Sequence, residues 1–207
     1  MSASAAFEET YRGYLARIAT ADLSAARARL GAEAGADGLV VPLFGEPHRV
    51  GPAGVFGPDG RRPHLSVCVI LCRYVLLCPP SAPTGGDWAS FKDFRDAAPL
   101  VASFANTVER AIAHAFTGRP GALHQAAAGL GGQAPTDSFP HDFALAIPAL
   151  PKVPLLLLFT DADDEFPAAC GVLFERRAAA YLDMECLAML GMQLARRLAS
   201  ASGTGAE

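Results

Sequence analysis

The chain has 207 residues, enough for one core of ordinary size and too few for a second large one. Hydrophobic residues make up 51% and mean hydropathy is +0.25, an excess carried largely by alanine, so much of each element is expected to be buried. Seventeen Lys and Arg stand against 21 Asp and Glu, a net charge of −4, with no basic run longer than an Arg pair; this argues against nucleic acid and anionic membrane as partners.

Residues 5–30 read as one helix, or two joined near Thr20–Asp22. Phe7, Tyr11, Tyr14, Leu15 and Ile18 recur at helical spacing, Asp22 suits the cap of a second helix and Gly31 its stop. Gly35–Gly38 is turn-like. Leu39–Phe44 reads as a strand, followed by a tight turn at Gly45-Glu46 and a return strand at Pro47–Val50. The two prolines point to edge positions, because proline donates nothing to a ladder. A Gly- and Pro-rich loop over 51–63 leaves room for a short strand at Val55-Phe56. Pro63 to Cys78 is the most apolar segment of the first half, and its length favours a buried helix. It contains Arg73 and falls well short of the roughly 20 apolar residues that cross a membrane.

Asp87–Phe94 reads as a strand or a short turn. Ala97–Thr117 reads as a helix, with Leu100, Phe104, Val108, Ile112 and Phe116 at four-residue spacing. A short helix, Ala122–Leu130, ends at Gly131-Gly132. Phe143, Leu145 and Ile147 alternate with smaller residues as a strand does, Pro148–Pro154 reads as a connection, and Leu155–Phe159 as a central strand buried on both faces. An acidic loop, Thr160–Glu165, precedes a last strand at Cys170–Glu175. Asp183 is placed to cap a C-terminal helix with Cys186, Leu187, Leu190, Leu194 and Leu198 on its apolar face. The expected architecture is α+β: a mainly antiparallel sheet of about five strands covered by helices, in a single domain over 1–199 with a disordered tail at 200–207.

Three groups of side chains could carry function. Asp161, Asp163, Asp164 and Glu165 are hard oxygen donors close in sequence, as Mg²⁺ or Ca²⁺ sites require, although EF-hand spacing is absent; the plainer alternative is a solvated loop whose charge blocks edge pairing. His141-Asp142 would join them if the flanking strands pair. Trp88, Phe91 and Phe94 follow a Gly-Gly hinge and could line a ligand pocket or pack in the core. Cys68, Cys72, Cys78, Cys170 and Cys186 lack the C-x2-C pairs of zinc sites; as an odd set behind an N-terminus without a basic region and apolar run, they suit a cytoplasmic protein with buried thiols rather than a disulfide framework. No nucleophile elbow, P-loop or dinucleotide fingerprint is present.

Leu43-Phe44-Gly45, Trp88–Phe91, Leu130–Gly132, Asp142, Pro148, Pro151, Val153-Pro154, Asp164–Pro167, Val172–Phe174 and Tyr181-Leu182, in that order and spacing, resemble an uncharacterised family of bacterial and archaeal proteins, the domain of unknown function numbered three-seven-eight-six. Phe159 stands where that pattern often has tryptophan, Ala162-Asp163 replaces a glycine-aspartate, and the region after Phe94 is shorter. Fusion of some members to a cysteine-rich iron–sulfur domain implies a role near metallocofactor or one-carbon metabolism; this chain has no such segment. The resulting expectation is a non-catalytic accessory or ligand-binding module with an unknown cofactor and an unknown protein partner or a second copy as partner. The alternatives are a divalent-metal enzyme using 161–165, with His141 as base, and a purely structural homodimer.

Overall fold

The structure, a computed structural model, describes residues 3–203. Helices α1 (Ala3–Ala19) and α2 (Leu23–Leu30) are separated where expected: the Asp22 carboxylate accepts from the Ala25 N–H, and Gly31 takes the left-handed conformation that ends α2. Four strands follow as an antiparallel meander, β1 (Glu33–Gly35), β2 (Gly38–Leu43), β3 (Glu46–Gly51) and β4 (Gly54–Phe56). The turn between β2 and β3 is Phe44-Gly45, with φ of 50° and 79°, the two positive values that a two-residue hairpin matching strand twist requires. Phe44 holds this conformation because its ring is buried under the Arg197 guanidinium and its N–H donates to the Ala149 carbonyl at 2.8 Å. Pro42 and Pro47 face each other in register. Both strands are interior in the sheet order, but β1 pairs only as far as Val40 and β4 only with Arg49–Gly51, so neither proline leaves a ladder bond unmade.

Helix α3 (Leu65–Leu76) confirms the buried helix, with Val67, Cys68, Ile70, Leu71, Cys72, Tyr74 and Val75 all in the core. The expected long helix at 97–117 is instead a 3-10 turn (Ala98–Leu100), α4 (Val101–Phe104), a π segment (Ala105–Glu109) and α5 (Arg110–Phe116). The reason lies in the spacing. On a regular α-helix each step of four residues overshoots a full turn by about 40°, so a strict four-residue stripe winds off the core. The wider π turn takes up that drift, and Phe104, Val108, Ile112 and Phe116 all remain buried. Helix α6 (Pro120–Gly129) follows.

The second half builds a separate antiparallel sheet from β5 (Trp88–Ser90), β6 (Phe143–Leu150), β7 (Val153–Thr160) and β8 (Ala169–Glu175), in the order β5-β8-β7-β6. The chain is α+β with antiparallel pairing throughout, as expected, but its strands form two sheets of four rather than one of about five. β1 is three residues long and carries too little alternation to be read, and the strands of the first meander pair only with one another rather than joining the second sheet. The expected connection at Pro148–Pro154 shrinks to Pro151-Lys152. Pro148 lies inside β6 at a register shift between Ile147 and Leu150, on an edge strand where a missing N–H is tolerated.

Strand alternation divides the second sheet into two faces. Leu145, Ile147, Leu155, Leu157, Phe159, Val172 and Phe174 enter the main core. Leu156 and Leu158 are also buried, but on the opposite, outer face. Helix α7 (Met184–Ala201) packs against α3, the π segment, α5 and α6 and joins the two halves. It extends two residues past the expected start of the tail; positions 204–207 lie outside the described residues. Asp183 caps it, accepting from the Cys186 N–H at 2.9 Å and from Arg73 Nε at 2.8 Å. Burial alone would push this carboxyl up, but those hydrogen bonds hold it below its ordinary value.

Gly191 marks the closest approach of α7. A Cβ there would lie 2.6 Å from the Phe104 ring and 3.3 Å from Val108. Phe104 cannot swing aside, because it is stacked on Phe91 with centroids 4.3 Å apart. Gly191→Ala should therefore destabilise the fold by about 1–3 kcal/mol despite alanine's better helix propensity, as read by chemical denaturation.

Candidate functional site

The register Trp88↔Glu175 places both residues in one row across the outer face of the second sheet, and β7 brings Pro154 alongside. Here an open cleft of about 600 Å³ lies between these strand ends and the segment that leaves α6. One wall is Trp88, Glu175 and Pro154; the other is Gln133, Thr136 and Asp137, with Pro135 and Pro148 closing the sides. The second wall is held by Gln133, which exchanges backbone hydrogen bonds with Ala146 at 2.9 and 2.8 Å and so covers part of the open edge of β6.

Glu175 is 8% exposed. One carboxylate oxygen accepts from the Gly86 N–H at 3.0 Å, and the other pairs with Arg177 Nε. The chain at Gly85 passes close over Arg177: a Cβ there would lie 2.5 Å from the guanidinium carbon, so a larger residue would displace that side chain from Glu175. An exposed pair, Asp87–Arg176 at 2.9 Å, ties the outside of the same strand end. Trp88 is thus presented half-exposed on a fixed base.

The aromatic group expected to act together is divided. Trp88 lines the cleft, whereas Phe91 and Phe94 turn into the core: Phe91 stacks on Phe104, and Phe94 meets Phe174 edge-on at 6.2 Å. Glu175, Gln133 and Asp137 were missed as site residues. The signal available was the charged Glu175-Arg176-Arg177 run closing an apolar strand.

The acidic loop lies at the other end of the same sheet, about 20 Å away along β7. Asp161 Oδ1 accepts from the N–H groups of Gly118 at 2.8 Å and Ala162 at 2.9 Å, and Asp161 N–H donates to the Asp142 carboxylate at 2.7 Å. Asp163 Oδ1 accepts from the amides of Phe166 and Glu165, which hold its carboxyl below the usual range. Asp164 and Glu165 are exposed beside Phe166, itself 66% exposed. His141 does reach the loop, with Nδ1 3.0 Å from Thr160 Oγ1. These contacts shape a turn; among the described residues no three His, Cys, Asp or Glu side chains converge on a point that could hold a metal ion.

The thiols are scattered. Cys68, Cys72 and Cys186 are buried, Cys78 and Cys170 half-buried, and none forms a disulfide. Burial pushes Cys72 up to about 12 and raises Cys68, Cys170 and Cys186 as well, which disfavours the thiolate that metal ligation and nucleophilic attack need.

The residues that carry this geometry fall within a match to a known sequence family over positions 22–197. The chain belongs to the DUF3786 family, a domain of unknown function. No curated protein and no solved structure matches it. Among the described residues of this DUF3786 chain, no helix is long and apolar enough to cross a membrane.

Glu109, on the π segment, is half-buried behind the second sheet, where it accepts from the Val172 N–H at 3.3 Å; burial raises its pKa against that bond. A carboxyl raised in the folded state adds stability that is full below its unfolded pKa and is lost as pH rises through its folded pKa. Glu109→Gln should flatten this decline, gaining stability over the wild type on going from acid to neutral pH, as read by denaturation midpoints across that range. Glu175→Ala strands Arg177 and should cost about 3 kcal/mol, whereas Glu175→Gln, which keeps an acceptor for Gly86, should cost less in the same measurement.

Proposed function

We propose that this protein is a non-catalytic binding module whose ligand occupies the cleft against Trp88. The observation that carries this reading is the pairing of a half-exposed indole with a buried, doubly engaged carboxylate on the wall of a concave site. A volume of about 600 Å³ falls within the roughly 300–1,000 Å³ usual for small-molecule sites. Trp88 supplies apolar area and an oriented face at small entropic cost, and Gln133, Thr136 and Asp137 supply polar groups that fix orientation. Both oxygens of Glu175 are committed to Gly86 and Arg177, so this group is suited to holding the wall rather than to taking protons from a substrate. The family resemblance implies a setting beside metalloenzymes, and an accessory module that carries or senses a small molecule fits that setting.

Trp88 is the single tryptophan of the chain, which makes its emission a direct reporter of the cleft. Protein incubated with a low-molecular-weight metabolite extract should retain a bound species in native mass spectrometry. Retention should fall at least tenfold in Trp88→Ala, with a small change in thermal midpoint because the residue is half-exposed on an edge strand. Equal retention by the variant, or none by either protein, would reject the cleft as the site.

A further inference from the structure

Resting on that reading of the cleft, we infer that its ligand is a small organic cation, an amine or guanidinium with a short apolar body. The lining decides the sign of charge. Its ionisable side chains are Asp137 and Glu175, both acidic, joined by the Gln133 amide and the Thr136 hydroxyl; no Lys, Arg or His lines it. The two cations that follow Glu175 in the chain are already used. Arg177 pairs with Glu175 from behind the wall, and Arg176 pairs outside with Asp87. Asp137 makes no ion pair among the described residues and stands exposed on the wall facing the strand ends.

An anionic ligand would therefore meet the Asp137 carboxylate with no cation in the lining to receive it. A wholly apolar one would strip water from Asp137 without replacing its hydrogen bonds. A cation meets both needs: the indole face of Trp88 attracts positive charge through its quadrupole, and Asp137 accepts the N–H groups. The flanking prolines, Pro135, Pro148 and Pro154, offer rigid apolar surface to a short hydrocarbon body.

Three probes of one skeleton and different charge test this: butylguanidinium, neutral butylurea and anionic pentanoate, each titrated against Trp88 emission and by calorimetry. Butylguanidinium should bind saturably, at least tenfold more tightly than butylurea, with pentanoate weaker still. Asp137→Asn should lower its affinity at least tenfold without altering the unfolding midpoint, and added salt should weaken binding to the wild type but much less to the variant. Equal binding of butylurea, tighter binding of pentanoate, no saturable response to butylguanidinium, or an unchanged affinity in Asp137→Asn would overturn the cation assignment. The cleft itself stands or falls separately, on the metabolite retention of the wild type against Trp88→Ala.

Discussion

The stack of Phe91 on Phe104, centroids 4.3 Å apart and planes within 8°, is the contact on which the second half of the molecule depends. Phe174 closes the group from β8 at 6.2 and 5.9 Å, so a strand end, a helix and a central strand meet in one ring cluster. Such clusters contribute beyond their buried area because edge and face charges are complementary. Here the cluster also sets register. With Phe91 committed to the core, Ala89 faces inward, and Trp88 is turned to the outer surface. The π segment and Gly191 serve the same contact, one by keeping the apolar stripe on the core side and the other by letting α7 close over Phe104.

The two faces of the second sheet consequently do different work. The inner face is continuous with the core and gives the strands their rigidity. The outer face bears Leu156 and Leu158 in its middle, a cleft at one end and an acidic turn at the other. Charge is distributed accordingly. At the cleft, the carboxylate of Glu175 is neutralised from behind by Arg177. At the turn, Asp161 and Asp163 are occupied with backbone amides, which leaves Asp164 and Glu165 to solvent.

Local chemistry was legible in the sequence wherever one residue type had a single use. Asp22 and Asp183 as caps, Gly31 as a helix stop and the doubly buried run of β7 all follow from side chains whose preference is nearly independent of context, whereas the hairpin turn expected at Gly45-Glu46 falls one residue earlier, at Phe44-Gly45, because tertiary contacts hold Phe44 at positive φ. Pairing between distant segments was not legible. Three-residue strands carry no usable period, and nothing local distinguishes one eight-stranded sheet from two of four. Pro148 was misplaced because a bulge on an edge strand tolerates what an interior strand forbids. The cleft failed for a related reason: Trp88 and Glu175 are far apart in the chain and become neighbours only through strand order. The grouping of Trp88 with Phe91 and Phe94 rested on proximity in sequence, whereas the fold sends them to opposite sides of one sheet.

The hydrogen bond from the Phe44 amide to the Ala149 carbonyl joins a hairpin made early in the chain to a strand made late. The first meander has only local strand pairings, yet the backbone twist at Phe44 is secured by a partner that emerges from the ribosome long afterwards. Closing a loop of that length costs entropy before any contact rewards it. The nascent N-terminal half therefore displays an aromatic hairpin tip without its cover until β6 and, with Arg197, α7 are synthesised, an interval in which that tip is open to chaperones and proteases.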